Sequence, residues 1–163
     1  LSQHLNPHLL PVLIFLTAGL ISFATGTSWG TMAILIPVTV PLAIETSRFH
    51  GLGPDPSYRI FLGSLSSILA GAVFGDHCSP ISDTTVLSSM ATSCDHLDHV
   101  RTQLPYALLA GVVGMALGDI PTAYGLSPWW SLLAGSAVLI LFVLLVGRRI
   151  EPTARPRAGP ARS

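Results

Sequence analysis

The sequence predicts an all-α integral membrane protein, a polytopic helical bundle with broken or re-entrant helices. Three observations carry that expectation. Half of the 163 residues are hydrophobic and only 10% are charged, against about a quarter charged in an ordinary soluble domain, and the mean hydropathy is +0.62. The apolar residues come in runs of about 15 to 19, close to the roughly 20 that a helix needs to cross a bilayer. Two polar stretches rich in Ser and Thr, "GTSWGT" and "GDHCSPISDTT", interrupt those runs.

Taken in order, residues 8–25 are apolar throughout and would span about 27 Å as a helix. The stretch 26–31 then breaks the pattern with Gly26, Gly30 and three hydroxyls before an apolar run carrying Pro37 and Pro41 resumes. Residues 8–46 therefore read as two helices meeting at a polar break. The segment 46–59, rich in Gly, Pro and charge, reads as a surface loop, with Glu45 as a helix-end charge. Residues 60–74 are short for a full span and lead into the second polar stretch, after which only a short run follows. That region reads either as one broken crossing or as a re-entrant hairpin, and Arg59 on the same side as Arg101 would favour the hairpin. Residues 95–103 read as a polar loop, and 104–118 and 129–147 as two further helices. The "DIPTAYGLSP" between them suits a tight turn in which Asp119 is a turn acid, with Trp129 and Trp130 anchoring at the interface.

All eight basic residues are arginines and balance eight acids, so no basic surface suggests a nucleic-acid partner. Arg148, Arg149, Arg155, Arg157 and Arg162 follow the last apolar run directly, so the positive-inside rule predicts a cytoplasmic C-terminus. The domain organisation expected is a transporter domain over 8–147 and a disordered Arg/Pro-rich tail over 148–163. The chain starts at Leu1, and the reading expects the C-terminal part of a longer protein.

An enzyme is not expected. Ser, His and Asp are present, but no G-x-S-x-G nucleophile elbow frames them. Cys78 and Cys94 are too few for a disulfide framework, and with His77, His96 and His99 they match no common zinc spacing. Cys94 reads as a small apolar packing residue, and His96 and His99 as solvated or interfacial.

The two breaks carry the chemistry. In hydrocarbon every backbone N–H and C=O must be paired, so irregular chain at membrane depth survives only when buried in protein or lining a wet cavity. Interrupted hydrophobic segments of this kind point to a transporter binding site. Asp76 and Asp83 supply negative charge there, and Ser79, Ser82, Thr84, Thr85, Thr27 and Ser28 add neutral oxygens. This is the ligand set of a small hard cation. Burial favours the protonated form of a carboxylate and a bound cation favours the ionised form, so one acid can hold either a proton or a sodium ion. Asp83 is the first choice for direct contact, because hydroxyl residues follow it, with Asp76 second. His77, Trp29 and Thr31 are expected to line a substrate cavity, Trp29 with the alternative of an interfacial anchor. The other reading of the second stretch is a plain loop in which Asp83 caps the following helix.

The motifs "TGTSWGTMAILIPVTVPLA", "GDHCSPISDTTVLSSMAT" and "DHVRTQLPYAL" resemble the C-terminal part of the NhaC family of sodium/proton antiporters, over about residues 8–147. The resemblance implies a multi-pass transporter of the bacterial inner membrane within the ion-transporter superfamily, exchanging Na+ for H+ by alternating access. It implies no resident cofactor, with Na+ and H+ as the transported ions. Some members exchange malate for lactate, so a small carboxylate substrate is an alternative, as is a truncated, non-transporting fragment. The lipid bilayer is the expected partner, and a homo-oligomer is compatible with the class. Family members are longer, with several more helices ahead of this region. The family's polar motifs fall on Gly26 to Thr31 and on Asp76 to Pro80 with Ser82 to Thr85.

Overall fold

The computed structural model describes residues 6–147; the tail over 148–163, expected to be disordered, lies outside them. The described chain is helical with no strand. Five of its helical runs are long and apolar enough to cross a membrane. The chain is an all-α, polytopic membrane protein.

A 3-10 turn, Pro7–Leu9, capped by the Asn6 side chain, leads into α1, Leu10–Thr25. Gly26 ends α1 in the left-handed conformation, at φ 68°, a position that glycine takes without a Cβ penalty. Thr27 is extended and caps α2, Ser28–Phe49, by accepting the Gly30 N–H. The first break is thus two residues wide, narrower than 26–31. Ser28, Trp29, Gly30 and Thr31 already belong to α2.

α2 runs through Pro37 and Pro41, and α3, Pro54–Cys78, starts on a proline at its first position. The loop expected over 46–59 shrinks to residues 50–53, because the charges at 45–48 and 55–59 sit on the end turns of helices. α3 has 25 residues, about 37 Å of helix. It is long enough for a full crossing, and the premise of a short 60–74 segment does not hold. Arg59, on the second turn of this helix, lies against Gly125, whereas Arg101 lies near the start of the helical run His96–Ala123. The two arginines stand toward opposite ends of that run, which is the arrangement of a crossing and not of a re-entrant hairpin.

After the second break comes α4, Asp83–Ala91, and then α5, His96–Val113, whose N-terminal N–H groups are capped by the Asp95 carboxylate. The polar loop expected over 95–103 is helix, since its polar residues solvate the first turns of α5. A π-helical segment, Gly114–Asp119, and α6, Ile120–Ala123, continue α5 as one run, and α7, Pro128–Val146, follows. Asp119 therefore lies within a helical run and not in the turn, which is confined to residues 124–127.

α1 and α3 form the centre of the bundle and run parallel. Gly63 meets Pro11, Gly71 meets Phe15 and Gly75 meets Gly19. Small residues let the two backbones close on each other, as in membrane helix pairs where lipid removes the hydrophobic drive between helices. Ser22 donates to the Ala72 carbonyl at 2.6 Å across this seam. α2 returns antiparallel: Ser28 reaches Asp76 at one end, and at the other Ala43 packs with Leu10, Ile14, Ile60 and Ile68. α5 and its extension also run antiparallel to α3, with Gln103 at His77, Gly111 at Phe74 and Ala123 at His8. Large apolar side chains on α7, such as Leu133, Leu144 and Leu145, face outward, as a lipid-facing helix requires.

Candidate cation site

Because α1 and α3 run parallel, the break after each lies at the same end of the bundle. The two breaks touch: the Gly26 backbone packs against Ile81, with so little room that a Cβ at Gly26 would come within 3.0 Å of the Ile81 carbonyl oxygen.

Asp76 is the hub where they meet. It sits on the last turn of α3 and is only 9% exposed. The Ser82 hydroxyl donates to its Oδ1 at 2.7 Å, and the Ser28 hydroxyl to its Oδ2 at 3.3 Å. Ser82 Oγ also lies 2.9 Å from Thr84 Oγ1. Ser79 is fully buried and accepts the Ile81 N–H at 3.3 Å, which fixes the turn. Thr85 is buried with its hydroxyl unpartnered. Sequence-distant Ser28 and Ser82 of the second break thus converge on one carboxylate, with Thr84 joined to it through Ser82.

Among the described residues no positive side chain joins them, and the ion pair found is Arg48 with Glu45, 3.2 Å apart on the exposed end of α2. Carboxylate and hydroxyl oxygens of this kind are the ligand types of a small hard cation. Among the described residues no group of three His, Cys, Asp or Glu side chains gathers as it would for a transition metal.

The other sequence-selected residues stand apart from Asp76. Asp83 is exposed on the first turn of α4, where its charge suits the helix dipole, and among the described residues it forms no hydrogen bond to the Asp76 network. Of the two acids, Asp76 is the one that accepts hydrogen bonds from the surrounding hydroxyls. Thr27 caps α2, and Thr31 returns its hydroxyl to the Thr27 carbonyl at 2.9 Å. Trp29 is 82% exposed, and His77 is exposed too. His77, Trp29 and Thr31 do not come together around a cavity among the described residues. Trp29 in that position fits the interfacial alternative.

Three supporting residues escaped the sequence reading. His96, expected to be solvated or interfacial, is half-buried: its Nε2 lies 2.7 Å from the Pro80 carbonyl and its Nδ1 3.1 Å from Ser89 Oγ. It ties the start of α5 to the second break. Gln103 donates its side-chain amide to the His77 carbonyl, and Gly75 allows α3 to seat against α1. Cys94, expected to pack as an apolar residue, is exposed. Helix continuity also places the network. α5 is polar before Gln103 and apolar after it, and Gln103 is level with His77, so the Asp76 site lies at the end of the apolar layer and not midway through it.

Ser82→Ala removes the shorter of the two hydrogen bonds to Asp76. A hydrogen bond to a charged group contributes about 1.5–3 kcal/mol, so the variant is expected to be measurably less heat-stable than the parent in detergent, by size-exclusion chromatography after heating. Unchanged heat stability would show that this hydrogen bond contributes nothing to the fold.

The fold defines a multi-pass membrane protein in which the breaks after two parallel helices meet at a buried acid. The sequence profile of the Na+/H+ antiporter family matches residues 1–118, and the chain belongs to that family. It is similar to an uncharacterised protein of Haemophilus influenzae, 38% identical over 91% of this chain and 26% of the relative. It is also similar to the malate-2H(+)/Na(+)-lactate antiporter of Bacillus subtilis, 36% identical over 68% of this chain and 21% of the relative. To the arginine/ornithine antiporter of Halobacterium salinarum it is 34% identical over 71% of this chain and 21% of the relative. The chain spans about a quarter or less of the length of these curated relatives. No solved structure matches it.

Proposed function

We propose that this chain carries the cation site of a sodium/proton antiporter, with Asp76 exchanging a proton for a sodium ion. One observation carries the reading. Asp76 is buried among hydroxyl groups with no cationic side chain beside it. A carboxylate so placed is balanced by a proton or by a sodium ion, and one acid that takes either in turn couples the two fluxes without any further device. Ser82 and Ser28 contribute oxygens already aimed at the carboxylate, and Thr84 and Thr85 lie next to them. Asp83, outside this network, adds local negative charge at the exposed start of α4. Alternating access follows if the helix ends at Gly26–Thr27 and Ser79–Ser82 shift together, since the two breaks are in contact.

The arginine distribution supports a cytoplasmic C-terminus in a bacterial inner membrane. In that orientation α7 runs outward to inward, and the Asp76 site and Arg101 lie toward the cytoplasm. The test is sodium-driven proton movement in everted vesicles carrying the protein, read with a pH-sensitive dye. Sodium addition is expected to collapse a preformed pH gradient, and choline is expected to leave it intact. A gradient indifferent to sodium would sink the reading.

Similarity to a relative named for malate and lactate supports a second reading, cation-coupled exchange of a small carboxylate. Counterflow of labelled malate or lactate, with the sodium response absent unless the organic acid is supplied, would establish that reading in place of the first.

A further inference from the structure

Asp119 has no part in the Asp76 network. It stands on the π-helical segment Gly114–Asp119, and π turns inside α-helices are frequent at functional sites because they re-aim a side chain and disturb the backbone ladder. Here the Thr122 hydroxyl donates to the Gly118 carbonyl at 2.7 Å. Asp119 and Ser66 of α3 line the same cavity, and Ser66 is at the middle of the 25-residue Pro54–Cys78 helix. Asp119 is therefore a carboxylate at mid-depth, where acids are costly and face a cavity or the bundle interior.

A cavity is present. It has a volume of about 750 Å3, lies between α3, the π segment and α7, and is lined by Asp119, Ser66, Thr122 and Ser131 among apolar walls. Ser131 of α7 is 5% exposed, and its hydroxyl has no partner. Arg59 is the other charged residue lining the cavity; its guanidinium rests against Gly125, and no ion pair joins it to Asp119 among the described residues. α1, α6 and α7 bring no charged residue to this region.

We infer that Asp119 is a second monovalent-cation site, holding a proton or a sodium ion at mid-depth, with Ser131 as a neutral oxygen ligand. It is distinct from the first site: Ser66, which lines the cavity with Asp119, and Asp76 are ten residues apart on α3, about 15 Å along the helix, too far for one ion to touch both acids. The inference shares with the reading above the premise that this protein binds monovalent cations, and it adds a separate place for one.

The experiment uses the whole chain in detergent, treated with dicyclohexylcarbodiimide, an apolar reagent that modifies protonated carboxyl groups, and mapped residue by residue by mass spectrometry. Asp119 is expected to be modified in choline. If it holds sodium, modification falls about tenfold when sodium is raised to ten times its dissociation constant, by mass action. If it holds only protons, modification falls as pH rises and is indifferent to sodium. Ser131→Ala is expected to weaken the sodium protection at Asp119 and leave that at Asp76 unchanged. Asp119 left unmodified at every pH and sodium concentration would overturn the inference, because a carboxyl facing a cavity of this size is open to the reagent. Protection at Asp119 without protection at Asp76 would instead overturn the proposed Asp76 exchange and leave this inference standing.

Discussion

Replacing Asp76 by asparagine is expected to abolish sodium-dependent proton movement, while Asp83→Asn leaves it measurable. The asparagine side chain has almost the same shape, and its oxygen can still accept from Ser82, so the turn is retained. What disappears is the charge. At about 4 Å and an effective dielectric constant of about 20, a carboxylate attracts a monovalent cation by about 4 kcal/mol, close to a thousandfold in affinity. The substitution also removes an uncompensated charge from a buried site, so the variant is expected to be no less stable than the parent. Normal expression and thermal stability with lost transport would separate a missing ligand from a misfolded chain. If Asp83→Asn abolishes transport and Asp76→Asn does not, the order of the two acids read from the sequence is the correct one, and that read from the structure is not.

Gly75→Leu is expected to yield no monodisperse protein, and Gly75→Ala a markedly less heat-stable one. A Cβ at Gly75 runs into the Gly19 carbonyl oxygen and comes within 2.9 Å of the Phe23 backbone nitrogen. Neither atom can rotate away as a side chain would, so α1 and α3 must separate. Overpacking costs about 1–3 kcal/mol even where side chains adjust. Separation would also displace Asp76, the next residue in the chain, and part the two breaks at Gly26 and Ile81. Gly114 offers the contrast: a Cβ there meets nothing within 4 Å. Gly114→Ala is expected to be neutral or mildly stabilising, by up to about 1 kcal/mol from the lower entropy of the unfolded chain. Heating followed by size-exclusion chromatography of the three variants checks the ordering.

Much of the architecture is legible in the sequence because lipid imposes it. The run ending at Thr25, the break at Gly26 and the final span over Pro128–Val146 follow from apolar length and from glycine at a helix end. The errors share one cause. Polar residues on end turns read as loop, yet Arg48, Asp55, Arg59 and the residues from His96 to Gln103 all lie on helices that extend beyond the apolar stretch. The same error made α3 look short. Gly75, at the head of the second polar stretch, is a packing residue whose role depends on Gly19, 56 positions earlier.

That the two breaks carry polar side chains was legible, and which of those side chains meet was not. Hydroxyl spacing after Asp83 favours that acid, but the spacing cannot show that Ser28 arrives from another helix or that Ser82 turns back toward Asp76. Nor does local pattern reveal His96 holding the Pro80 carbonyl, a contact across 16 residues. Asp119 was misplaced because Ile120 and Pro121 signal a turn, whereas Pro121 sits on the first turn of α6, where proline is tolerated.

The central claim is that one buried acid, Asp76, holds a proton or a sodium ion but not both. Proton release on sodium addition, followed in weakly buffered detergent solution and in the Asp119→Asn background to isolate the first site, tests it most directly. The account predicts that adding sodium acidifies the solution, that choline does not, and that the further change Asp76→Asn removes the signal. Proton release that persists undiminished in Asp76→Asn would contradict it.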